Sequence, residues 1–174
     1  FAHHALSEQL QDRSLSRMYL ALVLGVPFPH RGRVETLIGR HPSNRLKMAV
    51  LQKSGKEAAT NYICVENFRD AFSLVECHLE TGRTHQIRVH MEHIGHPLVG
   101  DPLYGMQQTK LKATLKKGGY DDDVQEKVLS FNHQALHAAA ISFIHPRTEE
   151  EMTFECGLPD DFREMVESLE RASS

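Results

Sequence analysis

The run GRTHQIRVHMEHIGHPLVGD, Gly82 to Asp101, sets an arginine against an apolar helical stripe. Ile87, Met91 and Ile94 recur at helical spacing, Thr84 is placed to cap the first turn, and Gly95 followed by Pro97 closes it. The pattern predicts a helix over Thr84–Ile94. Arg88 falls at the margin of the stripe, where a guanidinium is partly desolvated and needs an anion. Its planar fork suits a carboxylate held by two parallel hydrogen bonds. Arg83, His85, Arg88, Tyr19 and the basic segment further upstream together suit recognition of an RNA backbone and an unstacked base. Taken alone, Tyr19 also reads as a core aromatic with its hydroxyl at the surface.

Other chemistries find less support. The chain has 12 histidines, densest at His85, His90, His93 and His96, yet no HExxH pattern occurs and His96 lies beyond the Gly95 stop. Histidines at the surface or in polar surroundings are the better reading, and no metal site is expected. There is no GxSxG, no cysteine beside a plausible base, and no P-loop, because GRVETLIGR lacks the GK[ST] ending.

These residues sit in a chain of 174 residues, one domain's worth, with 40% hydrophobic and 25% charged residues. No apolar run is long enough to span a bilayer, and no signal peptide is evident. Cys64, Cys77 and Cys156 read as reduced core thiols of a cytoplasmic protein. The net charge of −3 disguises a split. Arg31, Arg33, Arg40, Arg45, Lys47, Lys53 and Lys56 face only Glu35 in their segment, while acids concentrate late, at Asp121–Asp123, Glu149–Glu151 and the last helix. Such a chain can offer phosphates a local basic surface, or simply carry two solvated faces of opposite sign. The first residue is Phe, and the opening residues already read as a helix, so an upstream portion is expected.

The elements that must position the site follow from periodicity. Ala2, Leu6 and Leu10 mark a helical face. RMYLALVLG reads as a strand, followed by a proline-containing turn and a short strand in GRVETLIGR. RLKMAVL alternates as a half-buried strand; Ala59–Phe68 and Phe72–Gly82 are two more, with Val75, Cys77 and Leu79 on one side. Residues 106–130 read as an insertion or mobile segment with a helix near Val124–Leu129. ALHAAAISFIHP and EMTFEC give two further strands. Asp161 and Glu164 suit a capping box before an amphipathic helix carrying Phe162, Met165, Val166 and Leu169. Many strands on short turns with few helices predict an α+β fold with a mostly antiparallel sheet, in one domain over residues 1–174.

The blocks RMYLALVLG, GRVETLIGRHPSNRLKMAV with GKEAATNY, LETGRTHQIRVHMEHIGHPLVGDPLYG, and QALHAAAISFIHP with LPDDF occur in an order that resembles the RluA-type family of RNA pseudouridine synthases, its bacterial large-subunit rRNA branch above all. The resemblance covers nearly all of the chain outside 106–130. It implies a mixed, largely antiparallel sheet flanked by helices, with a cleft across it. It implies isomerisation of uridine to pseudouridine in RNA, rRNA ahead of tRNA, without cofactor or metal. Carried over residue by residue, Tyr19 is the active-site tyrosine and Arg88 the arginine that pairs with the catalytic aspartate. Leu136 packs against the uracil and Ile87 lines the same pocket. Arg45, Lys47, Arg83 and His85 are RNA-contact candidates. A monomer with no membrane attachment is expected.

One departure matters. The family's catalytic aspartate lies in a His-Arg-Leu-Asp…Thr-Ser-Gly block shortly before the RMYLA-like block, and nothing in Phe1–Arg17 matches it. The expectation is therefore that Arg88 faces a carboxylate absent from this sequence, and that the fragment alone is inactive. A non-catalytic RNA-binding module is the alternative, and a histidine-based metal hydrolase ranks below both.

Overall fold

A computed structural model describes all residues from Phe1 to Ser174. The elements are α1 (Ala2–Asp12), β1 (Ser16–Leu24), β2 (Arg31–Arg40), β3 (Met48–Leu51), β4 (Lys56–Phe68), β5 (Phe72–Leu79), α2 (Gln86–His93), α3 (Gln108–Lys117), α4 (Asp122–Ser130), β6 (Leu136–Ile144), β7 (Glu151–Glu155) and α5 (Asp160–Ser173). The strands form one sheet in the order β3-β2-β4-β5-β1-β6-β7. Every neighbouring pair is antiparallel. The fold is α+β, as expected.

β1 explains its own apolar run. Leu22 and Leu24 face a core of 16 buried residues built with α3, α4 and α5, while Ala21 and Val23 face a second core under α2. A strand covered on both sides has no solvent face to spend polar residues on. β5 behaves alike, and Val75 and Cys77 are fully buried on the α2 side, with Leu79 packed against the same core. β7 is an edge strand, with Phe154 exposed and stacked on Phe143.

In residues 106–130 the helix expected near Val124–Leu129 is present as α4, and a second helix that was not expected, α3, precedes it. Together they give Leu111, Leu115, Val124 and Val128 to the largest core. The i,i+4 pairs Leu111/Leu115 and Val124/Val128 are short apolar stripes among lysines and acids, and Asp121 caps α4 by accepting from Val124 N–H at 2.9 Å. Two expectations fail. α5 has Pro159 as its N-cap with no side-chain cap, because the Asp161 carboxylate is taken by His133 and by Phe162 N–H. Of the cysteines only Cys77 is a core thiol; Cys64 is half-buried and Cys156 exposed, on the open edge of the sheet.

Candidate active site

α2 carries the first half of the site. Ile87 and Met91 point into the core over β1, β4 and β5, as the apolar stripe requires. The helix ends as predicted, with Gly95 at φ 86° and His96 N–H returning to Met91 O at 2.8 Å. It does not begin as predicted. The N-cap is His85, itself in the left-handed region at φ 56°, and Thr84 makes no cap. The reason lies in Gln86, which is buried and fully bonded. Its Nε2 donates to Ala59 O and Thr60 Oγ1, while its Oε1 accepts from Thr81 Oγ1 and Arg83 N–H. These bonds pin residues 81–83 to β4 and fix the angle at which the chain enters the helix.

The same network fixes His90. Thr60 Oγ1 accepts from Gln86 and lies 2.8 Å from His90 Nδ1, while His90 Nε2 lies 2.7 Å from Thr36 Oγ1, so each ring nitrogen meets one threonine hydroxyl. Burial pushes the His90 imidazole down to about 4, with His93 contributing. His90 is thus a neutral linker between α2, β2 and β4.

Arg88 is only 8% exposed. Its Nε and Nη2 each donate at 2.8 Å to the two oxygens of Asp101. This corrects the expectation that its carboxylate lies outside the sequence, since the buried charge is already compensated within the chain. Asp101 belongs to the turn that follows α2, where its Oδ1 also accepts Leu103 N–H at 2.9 Å and Tyr104 N–H at 3.1 Å. Burial raises the Asp101 carboxyl, but Arg88 and these two N–H groups outweigh it and hold it below the usual carboxylate range. The guanidinium lies 5.0 Å from the Tyr104 ring centroid. The Tyr104 hydroxyl accepts Met48 N–H and lies 2.8 Å from His85 Nδ1. Burial and the Arg88 charge push His85 down, so its ring is neutral. Reasoning from sequence missed Asp101 and Tyr104. A lone acid inside the apolar stretch PLVGDPLYG was the available signal, because such a residue must be paired.

The second half comes from the sheet. Tyr19 on β1 and Leu136 at the start of β6 pack against the α2-side core. With Leu79, Arg83, His85, Gln86, Ile87, Arg88 and Gln134 they line a cleft of about 250 Å3. That is just under the ~300–1,000 Å3 usual for small-molecule pockets. Tyr19, Ile87, Arg88, Leu136, Arg83 and His85 are therefore brought together. Lys47 and Arg45 are not. Lys47 lies over the outer side of the Tyr104 ring, 4.0 Å from Glu92, and Arg45 is exposed in the β2–β3 loop. No group of three or more His, Cys, Asp or Glu side chains is disposed to hold a metal ion, and no helix is long and apolar enough to cross a membrane.

Comparison with known proteins identifies what the chain is similar to. The RNA pseudouridylate synthase family model matches residues 1–93. An uncharacterised RNA pseudouridine synthase of Bacillus subtilis, YlyB, is 43% identical over 170 residues, covering 98% of this chain and 49% of the relative. A ribosomal large subunit pseudouridine synthase D of Neisseria meningitidis serogroup A is 45% identical over 169 residues, covering 97% of this chain and 42% of its own. Among solved structures, human RNA pseudouridylate synthase domain containing 4 superposes with a TM-score of 0.69 at 25% identity, covering 96% of this chain and 67% of that one. The chain thus spans about half the length of the curated relatives it matches.

Proposed function

Because the chain belongs to the RNA pseudouridylate synthase family, we propose that its cleft serves the isomerisation of uridine to pseudouridine in RNA, with large-subunit rRNA as the substrate class and tRNA as the lesser candidate. The observation that carries the reading is the convergence of Tyr19 from β1, Ile87 and Arg88 from α2 and Leu136 from β6 on one cleft. Tyr19 and Leu136 offer the flat apolar contacts that an extruded uracil needs once it leaves its stack. The glycosidic N1–C bond breaks, the uracil turns, C5 bonds to the ribose and then loses its proton, and N1 takes up a proton, so that the product is an isomer of the substrate.

Arg88 keeps one group for this chemistry. Asp101 occupies Nε and Nη2, and Nη1 has no partner within the chain. We propose that Nη1 orients a catalytic carboxylate supplied by polypeptide outside these residues, since residues 1–17 hold no His-Arg-Leu-Asp block. That same missing block favours the second reading, an RNA-binding module without chemistry. Tritium release from 5-labelled uridine in rRNA separates the two. The parent polypeptide should release label, residues 1–174 alone should not, and Arg88→Ala in the parent should lower the rate at least a hundredfold. RNA binding by the parent with no release would establish the binding module instead. Full activity of Arg88→Ala would overturn the role given to Nη1.

A further inference from the structure

We propose that a second cleft, lined by Arg40, Lys56 and Arg83, seats backbone phosphates of the RNA strand next to the nucleotide held in the first. The cleft has a volume of about 390 Å3 and is lined also by Ile38, Gly39, Met48, Ser54, Gly82 and Thr84, with no carboxylate among them. The register puts its cations side by side: Ile38 pairs with Lys56 and Arg40 with Met48, so these four side chains share the sheet face that carries α2. None of the three cations has an acidic partner within 4.0 Å, unlike Arg33, which is claimed by Glu35 and Glu80.

Arg83 joins the two clefts, because it lines both. Its Nε donates to Glu57 O at 2.8 Å and its backbone N–H to Gln86 Oε1 at 3.0 Å, so the side chain is anchored while both Nη groups remain unbonded. A preset fork with free donors between two unpaired cations is an anion seat. The inference rests on the uridine reading for the identity of the anion. A nucleotide whose base fills the first cleft carries its charge on the flanking phosphates, and the second cleft opens beside it. Ser54 and Thr84 add hydroxyls of the kind that bond phosphate oxygens.

The test is the salt dependence of binding, read by fluorescence anisotropy with a fluorescein-labelled RNA hairpin bearing a uridine loop. Arg40→Gln combined with Lys56→Gln should flatten the slope of log K against log salt by about 1.4, roughly 0.7 for each single-strand phosphate that is no longer neutralised. Each single variant should give about half of that. Lys112→Gln with Lys116→Gln, an equal charge change on the exposed face of α3, should leave the slope as it is. The difference should persist when the loop uridines are replaced by cytidines, because phosphates carry it. An unchanged slope in the Arg40/Lys56 variant, or an equal fall in the α3 control, would overturn the proposal. Failure of the parent polypeptide to form pseudouridine while the slope difference stands would sink the uridine reading and leave the phosphate seat in place.

Discussion

Asp101→Asn is the sharpest perturbation of the site, because it keeps the shape and removes the charge. The carboxylate accepts four N–H groups: Arg88 Nε and Nη2, Leu103 N and Tyr104 N. An asparagine whose oxygen stays on the three-donor side must turn its NH2 toward Arg88 Nε–H, donor against donor. One charge-assisted bond is lost, about 1.5–3 kcal/mol, and the guanidinium stays buried with no counter-charge. Removing one partner of a buried pair costs about 3–5 kcal/mol in all, and a similar loss is expected here. With no tryptophan in the chain, urea unfolding followed by far-ultraviolet circular dichroism is the suitable assay. The cycle with Arg88→Met isolates the pair and should give a coupling of about 2–3 kcal/mol. The sign with pH is fixed as well. The folded carboxyl lies below the ordinary aspartate value of 3.8, so the pair stabilises above that pH and its contribution disappears as pH falls through the folded value. The gap between wild type and Asp101→Asn should therefore close in acid. A loss under about 1 kcal/mol at pH 7, or a coupling under about 0.5, would refute the argument that this pair secures the site.

His90 gives a second pH signal in a different window. Its folded value of about 4 lies below the ordinary 6.5, so its neutral burial stabilises fully above 6.5 and loses effect as pH falls toward 4. At pH 5 the loss should be about 2 kcal/mol, visible as a lower urea midpoint that a His90→Asn variant does not share. Gly105→Ala should destabilise by about 1–3 kcal/mol, because the added Cβ would lie 2.3 Å from Asp101 O; thermal melting within 1 °C of wild type would contradict it. A thiol reagent at pH 8 should label exposed Cys156 quickly and Cys77 only on unfolding, since burial pushes the Cys77 thiol up to about 12; early labelling of Cys77 would count against the described core.

How far the sequence foretold these features depends on the range of the interaction. Local patterns carried the strands well. β1 announced itself as an unbroken apolar run because it is covered on both faces, and α5 showed its buried side at Phe162, Met165, Val166 and Leu169. Signals of comparable strength failed where tertiary bonds captured the same groups. Thr84 lost its capping role because Gln86 pins the preceding loop, and Asp161 lost its own to His133. α3 was hidden because Leu111 and Leu115 are set among lysines, so only packing beside α4 in the largest core makes that stripe apolar enough to matter. Residue chemistry singled out Tyr19, Arg83, His85 and Arg88, whereas Ile87 and Leu136 entered the cleft through family resemblance. Tyr19 and Leu136 lie on strands adjacent in the sheet and far apart in sequence, and no periodicity relates them.

Position 88 shows why an arginine, and not a lysine, suits this site. A buried cation must be compensated, yet a cation fully used by its partner has nothing left for a ligand. The guanidinium resolves this by geometry. One edge, Nε with Nη2, is spent on Asp101, and its plane rests over Tyr104, while Nη1 has no partner within the chain and the residue lines the cleft. An ammonium is a point charge whose donors rotate together, so it cannot hold one anion by a rigid edge and present a second donor in a fixed direction. Arg88→Lys should therefore keep most of the charge compensation and lose the preset direction. Its expected signature is a fold destabilised by less than Asp101→Asn together with a fall in turnover close to that of Arg88→Ala, because donors aimed in advance stabilise developing charge at no reorganisation cost. A lysine variant with wild-type turnover would mean that charge alone suffices at this position and that the free Nη1 has no directed task.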